Sequence, residues 1–156
     1  MVDVGEHARV TRATAGRILH QSRLLDTLAK YGMPYIMGSY ALDLMYDPDI
    51  DITIVTDHPQ DTSRAVLNAM LNQGFFQRYE YGDFVRFRVH RRPHGYILVL
   101  AITVDAAYWE IEVWFLFEPS LPELSLMSFV RQRLTTETRD DIGDQAPAPR
   151  AWQRQA

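Results

Sequence analysis

The chain contains no cysteine, only one lysine, and no apolar run long enough to span a membrane. The missing cysteines exclude disulfide bonds and thiol chemistry. The longest apolar run, residues 96–104, has the length of a strand, and segment 1–12 is charged and lacks the apolar stretch of a secretory signal. We therefore expect a cytoplasmic protein that makes no use of a membrane.

Length and charge restrict the function further. With 156 residues, 47% of them hydrophobic, the chain is long enough for one domain with a substantial core. The net charge of −4 argues against a broad nucleic-acid-binding surface. The basic residues are almost all arginine, which suits bidentate phosphate contacts, although codon bias would give the same composition.

Periodicity and turn residues predict an alternation of helices and strands. Gly32 and Gly74 fit helix ends, and Ser120 with Glu123 matches a capping box. The predicted elements are helices over 6–31, 39–45, 59–74, 120–134 and 135–142, and strands over 35–37, 49–56, 75–81, 84–90, 95–104 and 108–117.

This order of elements predicts an α+β fold, with an α/β-type mixed sheet and helices packed mainly on one face. The predicted domain covers residues 1–142. Residues 143–156 are rich in Ala, Pro, Gln and Arg without periodicity, which predicts a disordered tail.

Two carboxylates alternate along the predicted strand 49–56, in the sequence DIDI at 49–52. Because side chains alternate faces on a strand, Asp49 and Asp51 should point the same way and repel each other. Mg²⁺, which prefers hard oxygen ligands, would remove that repulsion. Upstream, Gly38 and Ser39 open a short predicted helix, where backbone N–H groups and a hydroxyl suit phosphate. The pattern therefore predicts a site for a metal–nucleoside triphosphate.

The tripeptide MGS at 37–39, followed after nine residues by DIDI at 49–52, resembles the nucleotidyltransferase superfamily, which has the DNA polymerase beta-like fold. The resemblance covers residues 33–117. The sequence WEIEVWF at 109–115 is similar to the acid-bearing strand of a small bacterial branch of that superfamily.

The resemblance implies an enzyme that uses two Mg²⁺ ions to move a nucleoside monophosphate from a nucleoside triphosphate such as ATP to a hydroxyl acceptor. The acceptor would be a small molecule such as an antibiotic, an RNA end or a protein. Asp49, Asp51 and Glu112 would be the catalytic metal ligands, with Glu110 as the substitute for Glu112. The superfamily usually has Asp at this third position, and Glu is one methylene longer.

The triphosphate would be bound by Gly38 and Ser39, and by Arg86 and Arg88 on the predicted strand 84–90. In the alternative interpretation, the two arginines lie on a strand face that is exposed to solvent and bind no ligand.

A second hypothesis is a catalytically degenerate module that keeps the fold and binds a nucleotide or a protein partner. The Glu at the third acidic position and the short sequence beyond the catalytic core favour it. If the chain is an enzyme, a second copy of the chain or a partner protein would complete the acceptor site. A third hypothesis is an interaction domain that binds neither metal nor nucleotide.

Overall fold

A computed structural model describes residues 3–117 of the chain. The predicted helices beyond Ser120, the tail 143–156 and the domain boundary at residue 142 lie outside these residues. The described elements are α1 Val4–Ser22, α2 Leu24–Ala29, β1 Pro34–Met37, α3 Gly38–Leu42, β2 Asp49–Val55, α4 Pro59–Gln73, β3 Arg78–Asp83, β4 Gly95–Val104 and β5 Ala107–Leu116. None of the helices within residues 3–117 combines the length and the apolar character needed to cross a bilayer.

The five strands of the described region form one mixed sheet in the order β1-β2-β5-β4-β3. Strands β2 and β5 are parallel, and the other three neighbouring pairs are antiparallel. A parallel pair needs a long crossover connection, which here contains α4, β3 and β4. The mixed sheet predicted from the sequence is thereby confirmed.

The core lies on one face of the sheet because apolar residues alternate along β2 and β5. On β2 the buried residues are Ile50, Ile52 and Ile54. Most of the buried residues of β4 and β5 join them in one cluster with Ile18 of α1 and Met70 of α4. The helices therefore cover this face, as the sequence predicts. The opposite face carries the carboxylates of β2 and β5 and a smaller apolar cluster.

The predicted helix 6–31 is interrupted and forms α1 and α2. Arg23 adopts a left-handed conformation with φ of 53°, and its N–H donates to the carbonyl of His20. The buried hydroxyl of Ser22 accepts a hydrogen bond from the N–H of Leu24. This side-chain bond competes with the helical hydrogen-bond pattern, so the chain turns at Arg23.

The predicted strand 84–90 is wrong. Residues 84–94 form a loop between β3 and β4, hereafter the β3–β4 loop. The carboxylate of Asp83 accepts hydrogen bonds from the N–H groups of Val85 at 3.1 Å and Arg86 at 2.8 Å. Because of this local turn, the two N–H groups do not form hydrogen bonds with a neighbouring strand. The alternation of apolar and basic residues therefore does not mark a strand with one buried face, since Phe87 and Val89 are 64% and 50% exposed.

Candidate active site

Four carboxylates lie on the face of the sheet opposite the core. Asp49 is the first residue of β2, and the burial pattern of the strand puts Asp49 and Asp51 on the same side. The parallel register pairs Asp49 with Glu110 and Asp51 with Glu112. The acids that the sequence singles out, separated by about sixty positions, thus occupy neighbouring strands.

Burial and charge repulsion perturb both aspartates. The pKa of Asp51 rises to about 6, first because the carboxyl is desolvated and then because Asp49 and Glu112 are close. The pKa of Asp49 is also raised, by desolvation, by the charge of Asp47 and, less strongly, by Glu112; a hydrogen bond from Ser39 opposes this. Glu112 acts on both aspartates, whereas Glu110 is not among the charges that raise either pKa. The register pairs each glutamate with one aspartate, so the choice of Glu112 as the third acid stays a prediction.

Gly38 is pressed against the Asp51 carboxylate. Its φ of +63° is in the left-handed region, and a Cβ atom there would collide with Oδ2 of Asp51. The hydroxyl of the next residue, Ser39, donates to Oδ1 of Asp49 over 3.5 Å. The Gly38–Ser39 turn therefore contacts both aspartates. Sequence reasoning assigned Gly38 to phosphate binding and missed its steric role beside Asp51.

Arg12 of α1 fixes α3, the short helix that begins with this turn. Its guanidinium lies 4.5 Å from the ring centroid of Tyr40, donates to the Tyr40 carbonyl oxygen and pairs with Asp43 at 3.2 Å. Nearby, the imidazole of His7 is 3.1 Å from the carbonyl oxygen of Tyr46, just before β2. The sequence offers no signal for these contacts because they join residues that are 28 and 39 positions apart.

The donor set fits Mg²⁺ in kind, although within residues 3–117 no group of three or more acidic or histidine side chains is placed to hold a metal ion. Asp49, Asp51 and Glu112 offer hard oxygen atoms whose mutual repulsion a cation would relieve. Proteins often bind Mg²⁺ through only one or two carboxylates, and water and phosphate oxygens complete the shell. An open cluster of this kind therefore suits an ion that is shared with a phosphate ligand.

The two predicted basic ligands lie on a different element from the acids. Arg86 and Arg88 belong to the β3–β4 loop, which leads into β4 at Gly95. The register pairs Gly95 with Leu116, and Leu116 with Val55 at the end of β2. That end is six residues from Asp49, or roughly 20 Å along the strand. Contact between these arginines and the triphosphate stays a prediction.

The fold is similar to that of solved nucleotidyltransferase structures. A cytoplasmic RNA terminal U-transferase matches with a TM-score of 0.52 and 10% sequence identity, over 85% of this chain and 36% of its own. A poly(A) polymerase complex, GLD-2–GLD-3, matches with a TM-score of 0.52 and 11% identity, over 92% of this chain and 49% of its own. This chain therefore spans less than half the length of either protein. No family model and no curated protein matches it. The nucleotidyltransferase fold that the sequence predicts is confirmed.

The raised pKa of Asp51 predicts a pH-dependent penalty on stability. The folded protein keeps the carboxyl group of Asp51 protonated up to a pH of about 6, whereas its ordinary pKa is 3.8. The free energy of unfolding therefore falls as the pH rises between these two values. Asp51→Asn should raise the free energy of unfolding by about 1–3 kcal/mol at pH 7.5 and by much less at pH 4. Urea unfolding at both pH values measures this. Asp57→Asn, at an exposed position, is the control. An equal effect of Asp51→Asn at both pH values would contradict the prediction.

The contact between Gly38 and Asp51 predicts an unequal response to alanine at two glycines. Gly38 and Gly74 have φ values of +63° and +65°, but nothing lies within 4 Å of a Cβ atom built at Gly74. Both alanine variants incur the backbone strain, whereas Gly38→Ala should cost about 1–3 kcal/mol more through the collision. Denaturant unfolding measures both. In an Asp51→Ala background the excess should disappear, and its persistence would show that the collision is not its cause.

Proposed function

We propose that the protein is a Mg²⁺-dependent nucleotidyltransferase, which moves a nucleoside monophosphate from a nucleoside triphosphate to a hydroxyl acceptor. The observation that carries the proposal is the coupling of Asp49, Asp51 and Glu112 on adjacent parallel strands, beside the Gly38–Ser39 turn. The nucleotidyltransferase fold supports it.

Each residue of the cluster has a defined task in this proposal. Asp49 and Asp51 would hold two Mg²⁺ ions, and Glu112 would complete the ligand set. The Gly38–Ser39 turn contacts both aspartates, so its N–H groups and the Ser39 hydroxyl would lie beside a phosphate that shares the metal ions. Bound Mg²⁺ would neutralise the charge of the triphosphate and of the leaving group.

The reaction is an in-line displacement at the α-phosphorus. The acceptor oxygen forms a bond to the α-phosphorus, the bond from that phosphorus to the bridging oxygen breaks, and pyrophosphate leaves. The acceptor proton passes to a carboxylate, a role that Glu112 suits because its own strand places it next to Asp51. The longer side chain of Glu reaches farther from the strand than Asp would.

A second candidate is a degenerate module that binds nucleotide without turnover. Two observations favour it: the predicted third acid is Glu, and within residues 3–117 no three carboxylates are placed to hold a metal ion together. Nucleotide binding without any release of pyrophosphate, across small-molecule, RNA and protein acceptors, would support this candidate over the enzyme.

The proposal predicts stabilisation by a metal–nucleotide complex. A ligand at about 100 times its dissociation constant stabilises the native state by about 2.7 kcal/mol, which raises the unfolding midpoint by several degrees. Thermal unfolding should show this shift with at least one of ATP, GTP, CTP and UTP, only when Mg²⁺ is present, and not in the Asp49→Asn/Asp51→Asn variant. No shift at millimolar nucleotide, or a shift that survives in the variant, would reject the site.

The charge of Glu112 raises the pKa of both aspartates, which predicts different roles for the two glutamates of β5. Glu112→Gln should weaken the binding of Mg²⁺–nucleotide by at least about tenfold, because it removes a ligand. Glu110→Gln, which removes the same charge two residues away, should have a much smaller effect. Isothermal titration calorimetry with a non-hydrolysable nucleotide measures both affinities. The opposite order would identify Glu110 as the third acid.

A further inference from the structure

The β3–β4 loop concentrates positive charge in a chain that is acidic overall. Its residues 84–94 include four arginines and two histidines and no acid, while the whole chain has a net charge of −4. Within residues 3–117, the ion pairs use other arginines, so none of the four has a described carboxylate partner. The four arginines are all exposed: Arg86, Arg88, Arg91 and Arg92. Their charges are thus available to a negatively charged ligand.

The same loop presents an aromatic ring to solvent. Phe87 is 64% exposed, and the guanidinium of Arg86 lies 5.3 Å from its ring centroid. An exposed ring flanked by arginines is the combination on which unpaired bases stack, while the arginines contact the phosphates. Bases within a duplex do not offer their faces to such a ring. The loop therefore suits a single strand better than a double helix.

The base of the loop is anchored on the face of the sheet that carries the acids. The ring of Phe84 packs at 5.5 Å from that of Trp114, in a cluster with Ile97 and Leu116. Trp114 follows Glu112 by two residues on β5 and shares its face. From Leu116, beside the loop, to Glu112 is four residues, or roughly 13 Å. An extended polyanion bridges that distance, whereas a triphosphate held at Asp51 is compact.

We infer that the β3–β4 loop binds single-stranded nucleic acid through its backbone phosphates and through stacking on Phe87. The bound strand would run along the acidic face and bring a terminal hydroxyl to the carboxylate cluster. The role of this strand as the acceptor rests on the proposed function, but its binding to the loop does not.

Fluorescence anisotropy with a labelled 12-nucleotide RNA of mixed sequence, and with the matching DNA, tests the inference on the full chain in EDTA without nucleotide. Four phosphate contacts on a single strand predict a roughly 50-fold loss of affinity between 50 and 200 mM salt. Arg88→Gln/Arg92→Gln should weaken binding at 50 mM salt by at least about tenfold and reduce the salt dependence. Phe87→Ala should weaken binding by at least about fivefold with the salt dependence unchanged.

The matched control is Arg9→Gln/Arg64→Gln, which removes the same charge from exposed positions on α1 and α4. It should bind like the parent, and unfolding midpoints should show that every variant is folded. Tighter binding of RNA than DNA would indicate recognition of the 2′-hydroxyl, and equal affinity would indicate recognition of phosphates and bases alone; both support the inference.

Three results would overturn the inference. The first is no binding at 50 mM salt, or equal binding by the loop variants and the control. The second is loop-dependent binding to phosphatidylserine vesicles in place of the oligonucleotides. The third is a loss of the Mg²⁺–nucleotide thermal shift in Arg88→Gln/Arg92→Gln while oligonucleotide binding persists, which would assign the loop to the triphosphate. Loop-dependent oligonucleotide binding without any nucleotide shift would reject only the transferase.

Discussion

The parallel pairing of β2 with β5 is the constraint on which the carboxylate cluster depends. One face of each strand is buried in the core, through Ile52 on β2 and Val113 on β5, which are partners in the register. Since side chains alternate along a strand, burying these residues forces Asp51 and Glu112 onto the other face. A slip of one residue would put carboxylates into the core, so the apolar residues hold the register of the acids.

The same arrangement makes the site locally unfavourable in the absence of a cation. Asp51 is desolvated and lies near two other acids, which is why its pKa rises to about 6. Gly38 allows the backbone to press against this carboxylate, where any side chain would collide with it. The core supplies the stability that offsets this repulsion. Positions where local rules are broken at a cost are where functional residues are expected.

The sequence predicts the elements with strong periodicity and fails where one side chain redirects the backbone. Strand β4 is predicted with its observed bounds, Gly95–Val104, because it is a continuous apolar run between two turns. Asp83 and Ser22 each bond to the backbone nearby and end a pattern that would otherwise continue. The strand order was not predictable from periodicity, because it depends on how the two faces of each strand pack. The choice of Glu112 over Glu110 rests on resemblance, because the register pairs each of the two glutamates with an aspartate.

The net charge of the chain indicates its ligands less well than the positions of the charged residues do. The value of −4 argues against a broad basic surface, yet the fold separates acids at the start of β2 from arginines in the β3–β4 loop. An attraction between unit charges falls off within about 8 Å in physiological salt, so two clusters farther apart than that act almost independently. The acids can therefore concentrate cations while the arginines attract phosphates, although the negatively charged chain as a whole repels phosphates. A linear ligand that carries phosphates at one end and a hydroxyl at the other matches this separation, which no property of the composition reveals.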